Sequence, residues 1–323
     1  AALLDLFHFC SQYYHHPLGM VIMNGLPVKL RDNKSVSLKR KPHQYQYSLT
    51  LSGKNVESTQ IPSRNRVARR LLNEFQQAIT LTSPQIKHIS PRAEKLLQDW
   101  IQLGWIKSEL CLTATAARVA NIPVLTAEQE IAVNAITADG KQFNTWLLHG
   151  ETGSGKTEVY LRIIESVLAQ GRQALVLIPE ISLTPQLEGV FRARFSNVPL
   201  VSLHSGLNDT ERLTGWLQAQ SGEAKIILGT RLAVFTPLSD LGVIIVDEEQ
   251  DSSFKQQDGL RYSARDLAIF RARQSAIPVI LGSATPSLES YYNALTNRYR
   301  HIRLLSRAVQ NATLPLIQCI DTR

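Results

Sequence analysis

Leu147 to Leu161 read LLHGETGSGKTEVYL: two apolar residues, a glycine-rich turn, then Lys156-Thr157 ahead of an amphipathic stretch. Gly150-Glu151-Thr152-Gly153-Ser154-Gly155-Lys156-Thr157 satisfies GxxxxGK[ST], with a strand predicted before it and a helix after it. Glycines let successive backbone N–H groups turn inward around a phosphate chain, and a helix start adds its positive end. Lys156 is therefore expected on the β- and γ-phosphates of a bound nucleotide, and Thr157 on Mg²⁺.

Outward from this loop, short β-branched runs (WLLHG, ALVLIPE, LVSLHSG, KIILGT, VIIVDEE, PVILGSATP) alternate with helical stretches. That alternation predicts parallel βαβ units around a buried sheet over residues 121–323, an α/β P-loop NTPase lobe of RecA-like type. Polar residues come only at the carboxyl ends of these runs, so the chemistry is expected along one edge of the sheet. LGVIIVDEEQ supplies the second acidic strand, with Asp247 as the magnesium-side acid and Glu248 as the group that orients the attacking water. LIPEISLTPQ, HSG, GTRLAVF and GSATP add further strand ends rich in small or hydroxyl residues, which let backbone amides approach a polyanion.

Residues 1–28 read as a short helix and a turn-rich aromatic piece that belongs to something not fully present. Residues 29–120 hold a basic run (KLRDNKSVSLKRKPHQ) and then helices. In SRNRVARRLLNEFQQAI, Val67, Leu71, Leu72, Phe75 and Ile79 recur at helical spacing, with Arg64, Arg66, Arg69 and Arg70 opposite. SPRAEKLLQDWIQLGW begins with a cap-plus-proline signal and stops at Gly104. The trio of helices with a terminal extended piece predicts a winged-helix-like module.

A net charge of +8 is a mild pointer to a polyanionic partner. Cys10, Cys111 and Cys319 lack paired spacing and read as reduced structural residues. The apolar runs are too short to cross a bilayer, so a cytoplasmic chain with no membrane partner is expected. A start at Ala1, in the midst of an apolar pattern, points to a fragment.

The order GETGSGKT, PE, GTR, DEEQ, GSATP resembles the first motor lobe of superfamily 2 helicases. Within them, GETGSGKTEVYL, LIPEISLTPQ, LHSGLNDTER, DEEQDSSFKQQDGLRYSARDLA and LGSATPSLES closely resemble the bacterial replication-restart DNA helicases, the primosomal protein N′ family. YYHHPLG fits as well, and the resemblance implies that residues 1–28 are the end of an N-terminal DNA-binding domain or a linker. The resemblance implies an ATP-dependent 3′-to-5′ helicase that recognises stalled or abandoned forks and initiates primosome assembly. Its implied partners are forked and single-stranded DNA, single-strand-binding protein and primosome proteins, at the nucleoid.

It also implies that Gln129 reads the adenine edge, and that Gly150 to Thr157 hold ATP with Lys156, Asp247 and Glu248 catalytic. Thr230 and Arg231 would contact the strand, and Ser283 to Thr285 would couple hydrolysis to strand movement. Asp251 to Arg265 would sense single-stranded DNA, with Phe254 and Tyr262 stacking on bases and Lys255 and Arg261 near its backbone. Two positions depart from the family: Gln250 ends a box usually written DEEH, and Leu260 stands where tryptophan is frequent. A second motor lobe with arginine fingers and a zinc insertion are implied only outside this chain, so unwinding by the chain alone is expected to be slight. Another superfamily 2 DNA or RNA translocase, or a DNA-binding adaptor with an NTPase switch, remain the alternatives.

Overall fold

The computed structural model describes residues 2–31, 45–54, 56, 61, 65–77, 80–82, 86, 89–90, 93–110, 122–138 and 142–307. Arg64, Ile79, Cys111, Cys319 and the part of the basic run that follows Arg31 lie outside them. The chain divides into two compact units, Ala1–Val36 with Ala117–Arg323, and Ser37–Ala116.

In the larger unit, α1 (Ala2–Tyr13) and α2 (Leu18–Gly25) come first in sequence. The smaller unit is built from β1 (Tyr45–Leu49), α3 (Leu51–Lys54), α4 (Arg66–Gln77), β2 (Leu81–Thr82), α5 (Ala93–Gln102) and β3 (Ile106–Leu110). Its strands form an antiparallel sheet in the order β2-β1-β3. The helical spacing of α4 brings Leu71, Leu72 and Phe75 onto one buried face, where they join Ile86, Leu97, Trp100 and Ile106. On the other face Arg70 is exposed, while Arg69 donates from Nε and NH2 to the Ile61 carbonyl. Beyond α5, Gly104 takes φ +70°, the left-handed conformation suited to a chain leaving a helix.

The larger unit continues with α6 (Ala127–Ala138), β4 (Thr145–Gly150), α7 (Lys156–Ala169), β5 (Gln173–Leu177), α8 (Pro185–Arg194), β6 (Leu200–Leu203), α9 (Asp209–Gln220), β7 (Ile226–Gly229) and β8 (Leu241–Val246). It ends with α10 (Ala264–Gln274), β9 (Val279–Ser283), α11 (Leu288–Leu295) and β10 (Arg300–Leu304). Seven strands make one parallel sheet in the order β10-β4-β9-β8-β5-β7-β6. Side chains alternate between its faces: Leu147, Ile244 and Val246 enter one apolar cluster, and Trp146, Leu148, Val243 and Ile245 the other. Both faces are covered, which is why these strands read as continuous apolar runs.

Residues 6–21 are part of this unit. Leu6, Phe7, Cys10 and Val21 are buried in the first cluster, and the Phe9 ring stacks on Phe270 of α10 with centroids 3.8 Å apart. The opposite face is covered by α6 and α7, whose Val159, Tyr160, Ile163, Ile164 and Val167 follow the helical repeat. The edge strand β10, RHIRL, was not among the strands expected from the sequence; its outward polar residues suit an edge that must not recruit further strands. No helix among the described residues is long and apolar enough to cross a membrane.

Candidate functional site

Because β9 lies between β4 and β8, the carboxyl ends of the phosphate-loop strand, the GSATP strand and the acidic strand are neighbours. The loop after β4 turns on Gly153 and Gly155, at φ +86° and +82°, a region that costs other residues steric strain. A Cβ on Gly150 would fall 2.5 Å from Ser154 Oγ, so the loop closes tightly on its own first residue. Lys156 opens α7 almost buried, and its Nζ donates to the Gly150 carbonyl at 2.8 Å. Glu151, Thr152 and Gly153 are exposed, whereas Ser154 is buried.

Gln129, also buried, is held at both ends of its amide. Its Oε1 accepts from Thr126 N at 2.9 Å, and its Nε2 donates to the Ser154 carbonyl at 3.0 Å. The residue expected to read adenine thus clips the start of α6 to the phosphate loop. An amide has two donor hydrogens and two acceptor lone pairs, so both ends retain capacity for a base edge.

At the end of β8, the Asp247 carboxylate accepts from the Tyr160 hydroxyl at 2.9 Å. Burial pushes the Asp247 carboxyl above its usual range; the Tyr160 hydrogen bond opposes this, the Glu248 charge adds to it and Lys156 opposes it. Tyr160 is pushed well above the usual phenol value, first by burial and then by the Asp247 charge. Glu248 has φ +48°, unusual for a residue with a side chain and the kind of backbone strain held in place at working sites.

From Glu248 a line of hydrogen bonds leads to the next strand. Gln250 Nε2 donates to Glu248 Oε2 at 2.9 Å, Ser283 Oγ donates to Gln250 Oε1 at 2.5 Å, and Thr285 N donates to Ser283 Oγ at 2.9 Å. The amide at position 250 donates to a carboxylate and accepts from a hydroxyl at once, so the departure from histidine leaves a link of definite polarity. Ser283 is fully buried and Thr285 exposed, which carries the line from interior to surface.

Glu249 was not singled out in the sequence, yet it anchors the neighbouring loop. It accepts from Ser287 N, Ser287 Oγ and Ser290 Oγ at 2.7, 3.1 and 2.8 Å, and pairs with Arg265 NH1 at 3.1 Å. Tyr160 was likewise passed over. The signal for Glu249 was an acid embedded between Glu248 and Gln250 directly after an apolar strand; for Tyr160 there was only a polar-tipped aromatic on an otherwise apolar helix face.

Farther along the same edge, Thr230 is buried and Arg231 half-buried. Arg231 NH1 donates to the carbonyls of Ser253 and Lys255 at 2.9 and 3.2 Å, so the GTR arginine braces the segment after the acidic box. A cavity of about 140 Å³ lies beside it, lined by Arg31, Arg212, Trp216, Thr230, Arg231 and others. Lys255 and Arg261 are exposed. Phe254 and Tyr262 are not available as stacking faces here, contrary to the expectation: they are 2% and 0% exposed, and Tyr262 packs edge-on against Phe235 at 5.0 Å. Both rings belong to the core beneath the loop, and Leu260 joins them there. The energetic reason is the burial of large apolar area, which outweighs display of the rings to water.

A family model described as DEAD/DEAH box helicase matches residues 126–294. The "Replication restart protein PriA" of Haemophilus influenzae is 41% identical over 329 residues, taking in 96% of this chain and 43% of that protein. Its namesake in Bacillus subtilis is 46% identical over 201 residues, 62% of this chain and 25% of that protein. The chain therefore spans less than half the length of these curated relatives. Among solved structures, RecG bound to a three-way DNA junction superposes with a TM-score of 0.45 at 19% identity, over 68% of this chain and 26% of its own. With the matched region running from the residue before α6 to within α11, the chain belongs to the DEAD/DEAH box helicase family.

Proposed function

We propose that this chain is the first motor lobe, with a winged-helix-like module before it, of an ATP-dependent DNA helicase of 3′-to-5′ polarity. In this reading the whole protein recognises stalled or abandoned replication forks in the cytoplasm, at the nucleoid, and starts primosome assembly there with single-strand-binding protein and primosome proteins. The restart role rests on the resemblance and on the relatives' name, and the polarity on the resemblance alone. ATP hydrolysis coupled to a strand rests on the residues.

The observation that carries the coupling is the hydrogen-bonded line Glu248–Gln250–Ser283–Thr285. Lys156 exchanges the Gly150 carbonyl for β- and γ-phosphate oxygens when ATP enters, while the inward-turned loop amides and the helix start take the remaining charge. Thr157 and Asp247 offer a hydroxyl and a carboxylate, hard oxygen donors that fit Mg²⁺ completed by water and phosphate. When bound, that ion neutralises charge developing on the phosphates. Glu248 orients the attacking water, and Gln250 fixes Glu248 by its amide N–H. A change at the γ-phosphate that shifts Glu248 is felt through Gln250 by Ser283 and the exposed Thr285. Exposed Lys255 and Arg261, with the cavity that Arg31, Arg212, Thr230 and Arg231 line, supply the surface for a DNA backbone.

The test is forked-DNA unwinding and nucleic-acid-stimulated ATPase by the full-length protein carrying Lys156→Ala. Loss of both, with DNA stimulating the parent more than RNA, is the expected result. Unwinding that survives the substitution would reduce the lobe to a switch and overturn the motor reading, and stimulation by RNA alone would overturn the choice of DNA.

A further inference from the structure

Tyr160 lies one turn beyond Thr157 on α7, 1% exposed, with its hydroxyl 2.9 Å from Asp247 Oδ1. To reach the end of β8 from the helix that follows β4, its ring passes β9, the strand between them. It passes over Gly282. A Cβ at that position would lie 1.6 Å from the Tyr160 oxygen and 2.8 Å from Cζ, distances no side chain tolerates. The glycine before Ser283 thus leaves the gap through which a phenol reaches the acidic strand.

We propose that Tyr160 is a positioning residue for the metal-side carboxylate: its hydroxyl, admitted by Gly282, holds Asp247 in the orientation from which it meets Mg²⁺. The proposal rests on the reading of Asp247 as the magnesium-side acid. Three segments of the sequence far apart from one another then act as one unit. The helix that starts at the phosphate loop carries the donor, the GSATP strand carries the gap, and the acidic strand carries the acceptor. A phenol suits the task because its donor sits at the end of a rigid ring that is itself locked in the apolar cluster on that face. A carboxylate held at one oxygen loses rotational freedom before the ion arrives, so less ordering remains to be done on binding. The plain alternative is that Tyr160 only fills the core, with its hydroxyl satisfied by the nearest acid.

Tyr160→Phe separates the two, since it keeps the ring and removes the donor. In the full-length protein, binding of a fluorescent ADP analogue would be titrated with Mg²⁺ at 25 °C, alongside the same binding in EDTA and a thermal melt. The expected result is a roughly tenfold rise in the Mg²⁺ concentration for half-maximal effect, from loss of a hydrogen bond to a charged group. Nucleotide affinity in EDTA should stay within about twofold, the protein remaining folded at the assay temperature. An unchanged Mg²⁺ requirement in the folded variant would overturn the proposal and leave Tyr160 as core. Gly282→Ala should displace the phenol and reproduce the shift, with little further effect when combined with Tyr160→Phe, because both remove one interaction; a full additive shift would also count against it. Asp247→Asn serves as the reference: if it leaves the Mg²⁺ dependence intact, the reading of Asp247 fails, whereas a change there with none in Tyr160→Phe sinks the positioning role alone.

Discussion

Gln250 accepts a 2.5 Å hydrogen bond from Ser283 with one end of its amide while donating a 2.9 Å hydrogen bond to Glu248 with the other. One side chain thereby joins Glu248, the acid proposed to orient the attacking water, to Ser283 on the neighbouring β-strand. Gln250→Ala should lower the DNA-stimulated ATPase rate by about tenfold or more, the scale of a hydrogen bond to a charged group, while the KM for ATP moves little. Gln250→His should retain most of the stimulation. Steady-state ATPase with and without single-stranded DNA checks this, and equal losses in both conditions would deny a coupling role.

Lys156→Ala removes the cation proposed to face the phosphates. The turnover number should fall by about 10²–10³-fold, the cost of deleting one preorganised electrostatic contact in a water-poor site. A phosphate-release assay reads it, and circular dichroism should show an intact fold, because what the side chain leaves behind is the Gly150 carbonyl and an Asp247 carboxyl pushed further upward.

Asp247 gives a pH dependence whose sign follows from its burial. Its carboxyl is raised in the folded state, so the native protein binds that proton more tightly than the unfolded chain. The stabilisation is fully present below the unfolded value and is lost as pH rises through the folded one; at neutral pH the charge is a burden. Asp247→Asn should abolish hydrolysis yet raise the melting temperature at neutral pH, where ~1 kcal/mol corresponds to about 2–4 °C in a unit of this size. The gain should shrink as the melt is repeated at lower pH.

Phe254 tests the buried loop. Phe254→Leu keeps an apolar side chain in the core but leaves part of the ring's volume empty, and should cost about 1–2 kcal/mol. Affinity for single-stranded DNA should be unchanged, whereas loss of a base-stacking ring would weaken binding by about 1–3 kcal/mol per base. Fluorescence anisotropy with a labelled oligonucleotide distinguishes them.

Glu249→Ala should be the most destabilising change at the strand ends. It strips acceptors from Ser287 and Ser290 and one partner from Arg265, which keeps Asp266 and Glu289. A loss of about 3 kcal/mol is expected, at the low end for a broken buried pair because those partners remain. Chemical denaturation measures it, and Glu249→Gln should recover part of the loss through its remaining acceptor.

The sheet was legible because its strands are buried on both faces, and burial writes itself as uninterrupted Val, Ile and Leu in VIIV and ALVL. RHIRL was not legible, since an edge strand with exposed Arg300 and Arg303 carries the composition of a loop. The phosphate loop and the Asp247-Glu248 pair were visible because their residue types and spacing are set by chemistry. Glu249 was hidden among other acids, and nothing local distinguishes a solvated carboxylate from one that four donors hold. Phe254 and Tyr262 show the same limit for aromatics: composition records that a ring is present, whereas only packing decides which way it faces. The placement of α1 against α10 depends on contacts far apart in sequence, such as Tyr14, just past α1, accepting from Ser263 N, 249 positions away, at 3.2 Å, and no periodicity encodes that.

The N-terminal helices have a practical consequence for modularity. The match to the helicase family begins at residue 126, but Leu6, Phe7, Cys10 and Val21 form part of the apolar cluster on one face of the sheet, and β10 closes its edge after residue 294. A cassette cut at those borders would keep α10 on that face but uncover the part that Leu6, Phe7, Cys10 and Val21 fill, and would bare the flank of β4 that β10 covers. The physical unit is therefore longer than its signature, and a piece cut at the signature's borders would expose apolar surface and an open strand edge, both liabilities for association.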